Sequence, residues 1–282
     1  MSLVTSEKML FAAQKDGYAV GAFNVENMEM VQAVVAAAEE LRAPVLIQTT
    51  PSTVRYGGLN YYFANVQAAA CAASVPIALH LDHGDSYDLA MQALRAGYTS
   101  IMIDGSHNAF EDNIAVTKNV VGACKPNAIP VEAELGKVGG KEDDLEGGTG
   151  GYTVPEEAKE FVERTGISSL AVAIGTAHGV YSGVPKLDRE RLSEIRRLVN
   201  IPLVLHGASG LSNEEVRECI KRGICKVNFA TELRMAYSDA VKKVLADKPQ
   251  TFDPKAYGTA ARENVKQLVM NRMRVCGCVG RY

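Results

Sequence analysis

The sequence predicts an α/β fold, a single (β/α)8 barrel with a short helix before it and a helical extension after it. Two observations support this prediction. Short apolar runs alternate with longer amphipathic stretches along all 282 residues, and the apolar runs number eight. A third observation argues against an open doubly wound sheet, because no Gly-x-Gly-x-x-Gly follows the first run and polar residues end nearly every run. We therefore expect residues 1–282 to form one domain of the TIM-barrel type.

The predicted strands share the length and the Ile, Val and Leu content of buried strands. They cover residues 18–24, 44–50, 77–83, 100–106, 129–135, 170–176, 201–207 and 226–232. Helical patterns lie between them, and several begin with Asn, Asp or Ser at a capping position. Examples are residues 28–41, 87–96, 112–124, 156–165, 188–199 and 213–222.

The composition argues against several classes of protein. The formal net charge is -3, and no run of Lys and Arg is interleaved with aromatic residues, so we expect no nucleic-acid partner. The first residues lack a signal-peptide pattern, and no run reaches the roughly 18 apolar residues of a membrane span, so we expect a cytoplasmic protein with no membrane partner. Six cysteines are too few for a disulfide scaffold, and the pair Cys276 and Cys278 has no second pair to complete a metal site.

Three predicted strands give way to loops at a histidine, namely His83, His178 and His206. Because the carboxyl ends of parallel barrel strands meet on one rim, we expect these imidazoles to converge. The commonest explanation for three converging imidazoles is a divalent metal of the zinc type with one coordination position left open.

Other polar residues at the strand ends complete a ring on the same rim. So many buried carboxylates and imidazoles would be costly without a metal or ligand as partner, so the ring predicts a functional site. Its further members are Asn24, Thr50, Asp82, Asp104, Glu132, Glu134, Ser209, Asn228 and Thr231.

Residues 138–153 follow the fifth strand and contain six glycines together with a run of carboxylates. Such a glycine-rich loop above the rim predicts a lid that excludes water and delivers a general base. Glu142 is the first candidate for that base, followed by Asp143 and Asp144.

The loops after the seventh and eighth strands read HGASG and NFATE. In this type of barrel a phosphate frequently binds between these two loops, held by backbone N–H groups, hydroxyls and a helix N-terminus. Gly207, Ser209, Asn228 and Thr231 fit such a site, and Gly179 can add a further backbone N–H group.

Seven motifs in order resemble those of the class II, metal-dependent ketose-bisphosphate aldolases over essentially the whole chain. They are AFNV, HLDHG, SIMIDGSH, VEAELGKVGGKEDD, AIGTAHGVY, LVLHGASGL and VNFATEL. The stretches AVAIGTAHG, ATEL and CGCVGR are most similar to the tagatose-1,6-bisphosphate branch. Gly84 in HLDHG is instead similar to the fructose-bisphosphate type.

The resemblance implies reversible cleavage of D-tagatose 1,6-bisphosphate, or alternatively D-fructose 1,6-bisphosphate, to dihydroxyacetone phosphate and glyceraldehyde 3-phosphate through a zinc-stabilised enediolate. It implies zinc on the three histidines and no lysine Schiff base. Asp82 matches the acid/base at the C4 hydroxyl, and Glu142 would exchange the proton at the enediolate carbon. Three further residues match family positions that either shape a second metal site or orient the histidines, namely Asp104, Glu134 and His80. A monovalent cation is an additional candidate cofactor.

The sequence departs from the family pattern at the residues expected to bind the second phosphate of the substrate. Members commonly carry Asp-Pro-Arg near the C-terminus, with the arginine reaching a neighbouring subunit's site, whereas this chain has Asp253, Pro254 and Lys255. A lysine keeps the charge but loses the bidentate fork. Arg55 and Thr50 are further candidates for this phosphate. The resemblance also implies a homodimer or homotetramer and, for the tagatose branch, a separate non-catalytic partner subunit.

Two alternatives stay open at this point. A 6-phospho-5-dehydro-2-deoxygluconate aldolase would use the same metal and phosphate site but only one phosphate. A non-catalytic sugar-phosphate-binding subunit would not need three histidines together with Asp82 and Glu142.

Overall fold

The computed structural model describes residues 3–142, 145–147, 151–179, 181, 183 and 185–282, without the side chains of residues 141, 142 and 145–147. Its strands are β1 (Val20–Asn24), β2 (Val45–Thr49), β3 (Ile77–Gly84), β4 (Ser100–Ile103), β5 (Val131–Leu135), β6 (Gly139–Glu142), β7 (Leu145–Gly147), β8 (Ser169–Val172), β9 (Ala177–His178), β10 (Leu203–Leu205) and β11 (Ile224–Phe229). Eight of them form a closed parallel barrel in the order β1-β11-β10-β8-β5-β4-β3-β2. The predicted (β/α)8 barrel is confirmed.

The helices cover the outside of the barrel and its amino-terminal end. They are α1 (Ser6–Asp16), α2 (Met28–Leu41), α3 (Pro51–Gly57), α4 (Leu59–Ala72), α5 (Tyr87–Ala96), α6 (Phe110–Cys124), α7 (Pro155–Thr165), α8 (Arg189–Leu198), α9 (Asn213–Lys221), α10 (Thr231–Asp247) and α11 (Pro254–Cys276). Several begin at the predicted caps, because Asn27, Ser86 and Ser212 accept backbone hydrogen bonds from the first turns of α2, α5 and α9. None of the described helices is both long and apolar enough to cross a membrane.

The predicted helices at the two ends of the chain are also present. Helix α1 lies at the amino-terminal end of the barrel, where Ser6 contacts Ser100 and the backbone N–H of Val4 donates to the carbonyl of Ile77. Helices α10 and α11 pack against each other, and α11 also packs against α2. These contacts leave the carboxyl ends of the strands as the rim on which loops gather.

Several strands end earlier than the sequence predicts. The eighth barrel strand was placed at 226–232, which is wrong at both ends, because it covers Ile224–Phe229 and Thr231 begins helix α10. The strands predicted at 170–176 and 201–207 stop before Gly175 and Gly207, whose φ angles are 103° and 64°. A positive φ is outside the β region, so the chain turns toward the rim at these glycines.

A small second sheet lies above the rim, with the strand order β7-β6-β9. In it Gly140 pairs in parallel with His178. Gly140 has φ 85°, and a Cβ atom there would lie 2.2 Å from the carbonyl oxygen of His178. Only glycine allows this approach, so the glycine-rich segment is held directly beside His178, one of the three predicted metal ligands.

Candidate metal centre and active site

The three predicted histidines meet on the carboxyl rim of the barrel. The ring centroid of His83 lies 5.0 Å from that of His178 and 4.6 Å from that of His206. The centroids of His178 and His206 are 6.0 Å apart. One nitrogen from each ring lies within 4.8 Å of the others. The structure therefore brings the three imidazoles together as a candidate group of metal ligands.

The backbone of β3 is bent to present His83. The register between β3 and β4 shifts between Leu81 and Gly84, and His83 itself has φ 49°. A Cβ atom on Gly84 would lie 2.4 Å from the carbonyl oxygen of Met102, so β4 packs directly against this bulge. Bulges re-aim side chains, and a left-handed non-glycine residue costs about 1–3 kcal/mol, which marks His83 as a constrained position.

Two carboxylates fix the orientation of two of the rings. Nδ1 of His83 donates to Oδ2 of Asp104 at 2.7 Å, and Nε2 of His206 donates to Oε1 of Glu132 at 3.1 Å. Metal-binding imidazoles commonly use one nitrogen in this way and bind the metal through the other. Burial by itself would raise the pKa of both carboxyl groups, but His83 holds the pKa of Asp104 low and Lys226 holds that of Glu132 low.

Two atoms on the side of His206 that faces away from Glu132 are suited to bind a metal, namely Nδ1 of His206 and Oε2 of Glu134. Nδ1 of His206 lies 3.1 Å from Oε2 of Glu134, yet neither atom has a hydrogen-bond partner among the described residues, although both are buried. Burial and His83 lower the pKa of His206, but Glu132 and Glu134 outweigh them and raise it to about 9. A metal would therefore displace a proton from this ring. Imidazole nitrogen and carboxylate oxygen are both ligands of zinc, so the residues present fit this ion.

The residues predicted to shape a second metal site are divided between two groups. Asp104 and Glu134 lie with His83, whereas His80 lies with Asp82 and Glu132, in each case with one donor atom per residue within 4.8 Å of the others. Among the described residues, His80 thus does not join Asp104 and Glu134 in one group. Burial and the nearby Lys226 ammonium lower the pKa of His80 well below its usual value, which keeps that imidazole neutral.

The carboxylate of Asp82 is held by three amide side chains. Asn24 and Gln48 donate to Oδ2 at 2.9 and 3.2 Å, and Asn228 donates to Oδ1 at 3.0 Å. Gln48 also donates to Oδ1 of Asn24 at 2.8 Å, which joins two of the donors. The buried Asp82 carboxylate is therefore fixed in orientation. Of the three hydrogen bonds from these amides, two go to Oδ2 and one goes to Oδ1. The sequence reasoning missed Gln48, although a glutamine within the apolar run VLIQT was a visible signal.

A pocket next to the histidines contains the predicted phosphate site. The five predicted residues Gly179, Gly207, Ser209, Asn228 and Thr231 line it together with His178, Ala230 and Arg234. Thr231 is the first residue of the 17-residue helix α10, so the positive end of the helix dipole faces the pocket. Sequence reasoning missed Arg234, which lies one helical turn after Thr231 and hence on the same face.

Other predicted site residues are not among those that line this pocket. Thr50 is buried and contacts Thr53 at 3.1 Å, and Arg55 forms an ion pair with Asp85. Lys255 is exposed in the first turn of α11, where its ammonium lies 2.8 Å from Asp253. Glu142 ends strand β6, but its side chain lies outside the described part of the structure, as do Asp143 and Asp144 entirely.

Comparison with known proteins identifies a family. The family model described as fructose-bisphosphate aldolase class-II matches residues 4–281. The YdjI aldolase from Escherichia coli K12 is 37% identical, covers 99% of this chain and 99% of its own, and superposes with a TM-score of 0.88. A provisionally assigned fructose-1,6-biphosphate aldolase from Coccidioides immitis is 34% identical over 97% of this chain and 96% of its own, with a TM-score of 0.89.

A more distant structure shares the fold. Fructose-bisphosphate aldolase from Campylobacter jejuni is 22% identical, covers 100% of this chain and 97% of its own, and has a TM-score of 0.85. The family match spans the whole barrel and includes all three converging histidines. This chain therefore belongs to the class II fructose-bisphosphate aldolase family, and it is an aldehyde-lyase.

Proposed function

We propose that this protein is a zinc-dependent aldolase that reversibly cleaves D-tagatose 1,6-bisphosphate to dihydroxyacetone phosphate and glyceraldehyde 3-phosphate, with residues 1–282 as one catalytic domain. One observation carries the proposal. The amide-held carboxylate of Asp82, the three histidines and the pocket at the start of α10 share one rim. Asn228 belongs to both the carboxylate contact and the pocket.

The pocket supports binding of the phosphate on the half of the sugar that becomes dihydroxyacetone phosphate. Backbone N–H groups near Gly179 and Gly207, the Ser209 hydroxyl and the start of α10 are suited to phosphate oxygens, and Arg234 contributes a positive charge. Oδ1 of Asn228 is buried and has no hydrogen-bond partner among the described residues, so it can accept a hydrogen bond from a sugar hydroxyl.

His83, His178 and His206 would hold the zinc ion, with Asp104 and Glu132 keeping two of the rings in orientation. Zinc bound there would act as a Lewis acid that stabilises negative charge on the carbonyl and hydroxyl oxygens of the substrate. Asp104 and Glu134 in one group, and His80 in another, stay candidates for a second or alternate site. A monovalent cation stays a candidate cofactor.

The protein side chains supply the proton transfers. During cleavage Asp82 removes the proton from the C4 hydroxyl, O4 becomes the carbonyl oxygen, and the electron pair of the C3–C4 bond remains with C3. Glu142, carried by the segment that pairs with His178, would deliver the proton that C3 then takes up. Condensation follows the same steps in reverse.

We also propose that the protein works as a homodimer or homotetramer, since the family commonly forms oligomers. Lys255 lies exposed at the start of α11 rather than in the pocket, and this supports a role in the site of a neighbouring subunit. Arg55 and Thr50 are the candidates within the same subunit. A non-catalytic partner subunit belongs to the same proposal for the tagatose branch.

Two substrates are alternatives to tagatose bisphosphate. D-fructose 1,6-bisphosphate differs only at C4, and Gly84 after His83 supports it. The substrate of a 6-phospho-5-dehydro-2-deoxygluconate aldolase is supported by a separate observation, since Lys255 is not among the residues that line the proposed phosphate pocket. Such a substrate would need no second phosphate.

Steady-state cleavage rates on the three substrates test the proposal. We expect the highest kcat/KM on tagatose bisphosphate, loss of activity with a chelator, recovery on adding zinc, and no inactivation by borohydride in the presence of substrate. Inactivity on both bisphosphates would refute the proposed substrate class. Full activity after chelation, with borohydride trapping of substrate, would refute the metal mechanism.

A further inference from the structure

A buried lysine lies inside the barrel beneath the three histidines. Lys226, on strand β11, is 0% exposed, and its Nζ atom donates to Oε1 and Oε2 of Glu132, both at 3.0 Å. A buried lysine is rare unless it is paired, and here one ammonium holds both oxygens of one carboxylate. Neither residue lines the phosphate pocket.

The carboxylate of Glu132 also contacts His206, one of the proposed metal ligands. Oε1 of Glu132 accepts from Nε2 of His206 at 3.1 Å, and Oε2 accepts from the hydroxyl of Ser169 at 3.3 Å. Without Lys226, the position of the Glu132 side chain would depend on these two weaker contacts. With Lys226, both oxygens are fixed and the imidazole of His206 is fixed through them.

The lysine is itself held from below. Nζ of Lys226 lies 3.4 Å from Nε2 of His80, Nδ1 of His80 lies 2.7 Å from the hydroxyl of Ser100, and Ser100 lies 2.8 Å from the hydroxyl of Ser6 in α1. A column of buried polar groups thus runs from the amino-terminal end of the barrel to the rim. Such a column restrains the ammonium from sliding away from Glu132.

We propose that Lys226 is a positioning residue for the metal centre, which fixes Glu132 and through it the orientation of His206. The inference rests on the proposed metal site. It assigns Lys226 no contact with substrate, because the ammonium is fully buried and engaged with Glu132. It also distinguishes this lysine from a Schiff-base nucleophile, which would need access to the substrate carbonyl.

The experiment compares Lys226→Met with the parent protein. Zinc affinity is measured by competition with a chromophoric chelator, folding by circular dichroism, and ligand geometry by the visible spectrum of the Co²⁺-loaded protein. We expect folded Lys226→Met to bind zinc about 10- to 100-fold more weakly and to show a changed cobalt spectrum, as for other residues that orient metal ligands. Lys242→Met, which removes an exposed lysine of α10 paired with Asp239, is the control and should match the parent in both.

A second variant keeps the inference testable if Lys226→Met does not fold. Lys226→Met combined with Glu132→Gln leaves no unpaired buried charge, and it should bind zinc about 10-fold or more weakly. Zinc affinity within twofold of the parent in a folded variant, with an unchanged cobalt spectrum, would overturn the inference. A parent protein that binds no zinc would instead overturn the metal site itself.

Discussion

The side-chain amide of Asn228 donates a hydrogen bond to Oδ1 of Asp82 at 3.0 Å and thereby joins strand β11 to strand β3. These strands are not neighbours in the barrel, because β1 and β2 lie between them. The contact therefore crosses the carboxyl mouth of the barrel. It places the proposed proton acceptor at a fixed position relative to the phosphate pocket, to which Asn228 also belongs.

Asp82→Ala should retain its metal but lose about 100- to 10,000-fold in the rate of aldol cleavage, because the proton acceptor at C4 is removed. Zinc content by mass spectrometry and turnover on the preferred bisphosphate measure the two effects. Asp88→Ala, an exposed change in the first turn of α5, is the matched control. An Asp82→Ala enzyme with most of its turnover would contradict the acid/base assignment.

Gln48→Leu should lower kcat by about 10- to 100-fold with little change in KM, since Asp82 and Asn24 both lose a donor and the carboxylate can rotate. The buried amide oxygen of Asn24 is also left without this donor, which should cost about 1–3 kcal/mol of stability. Kinetics and urea denaturation test both effects. Unchanged kcat in a destabilised variant would show that Gln48 only stabilises the fold.

His206→Ala should lose both zinc and activity, because one of three imidazole ligands disappears. The control is His107→Ala, which removes an exposed histidine between β4 and α6. It should change neither the zinc content nor the activity. The metal content of the two purified variants decides the matter. Parental zinc content in His206→Ala would remove this residue from the ligand set.

Arg234→Met should raise the KM for phosphorylated substrates by about 10- to 100-fold, as expected when a charged hydrogen-bond donor to phosphate is lost. The control is Arg262→Met, which removes an exposed arginine of α11 that contacts Gln32. A normal KM for Arg234→Met would indicate that its ion pair with Glu26, at 2.6 Å, is its main role.

Gly140→Ala should destabilise the protein and reduce activity, because φ 85° is a left-handed position and the new methyl group would meet the carbonyl oxygen of His178. The backbone preference alone costs about 1–2 kcal/mol. Gly122→Ala, in helix α6 with open space around it, should instead be neutral or stabilising by about 0.5–1 kcal/mol. Thermal unfolding of the two variants compares them directly.

The barrel and the converging histidines could be predicted from the sequence because each depends on a local pattern. Eight apolar runs determine the strands, and the residues at their carboxyl ends must share a rim. For the same reason Gly179, Gly207, Ser209, Asn228 and Thr231 could be assigned to one pocket, which the structure shows.

The rest depends on contacts between residues far apart in the chain. Lys226 and Glu132 are 94 positions apart, and only the closed barrel shows that they pair. The end of the eighth strand was misplaced because α10 begins without a capping side chain, since its N-cap residue is Ala230. Its first turn is instead tied to α11 by the ion pair of Glu232 with Arg272. Arg234 was missed for the same reason, because the first residues of its helix were predicted as the end of a strand.

The left-handed backbone of His83 has a consequence for protein design. The direction of its side chain depends on the bulge in β3 and on the close packing of Gly84 on Met102. A designer who copied the histidine onto a regular strand of another barrel, without its bulge, would not reproduce its direction.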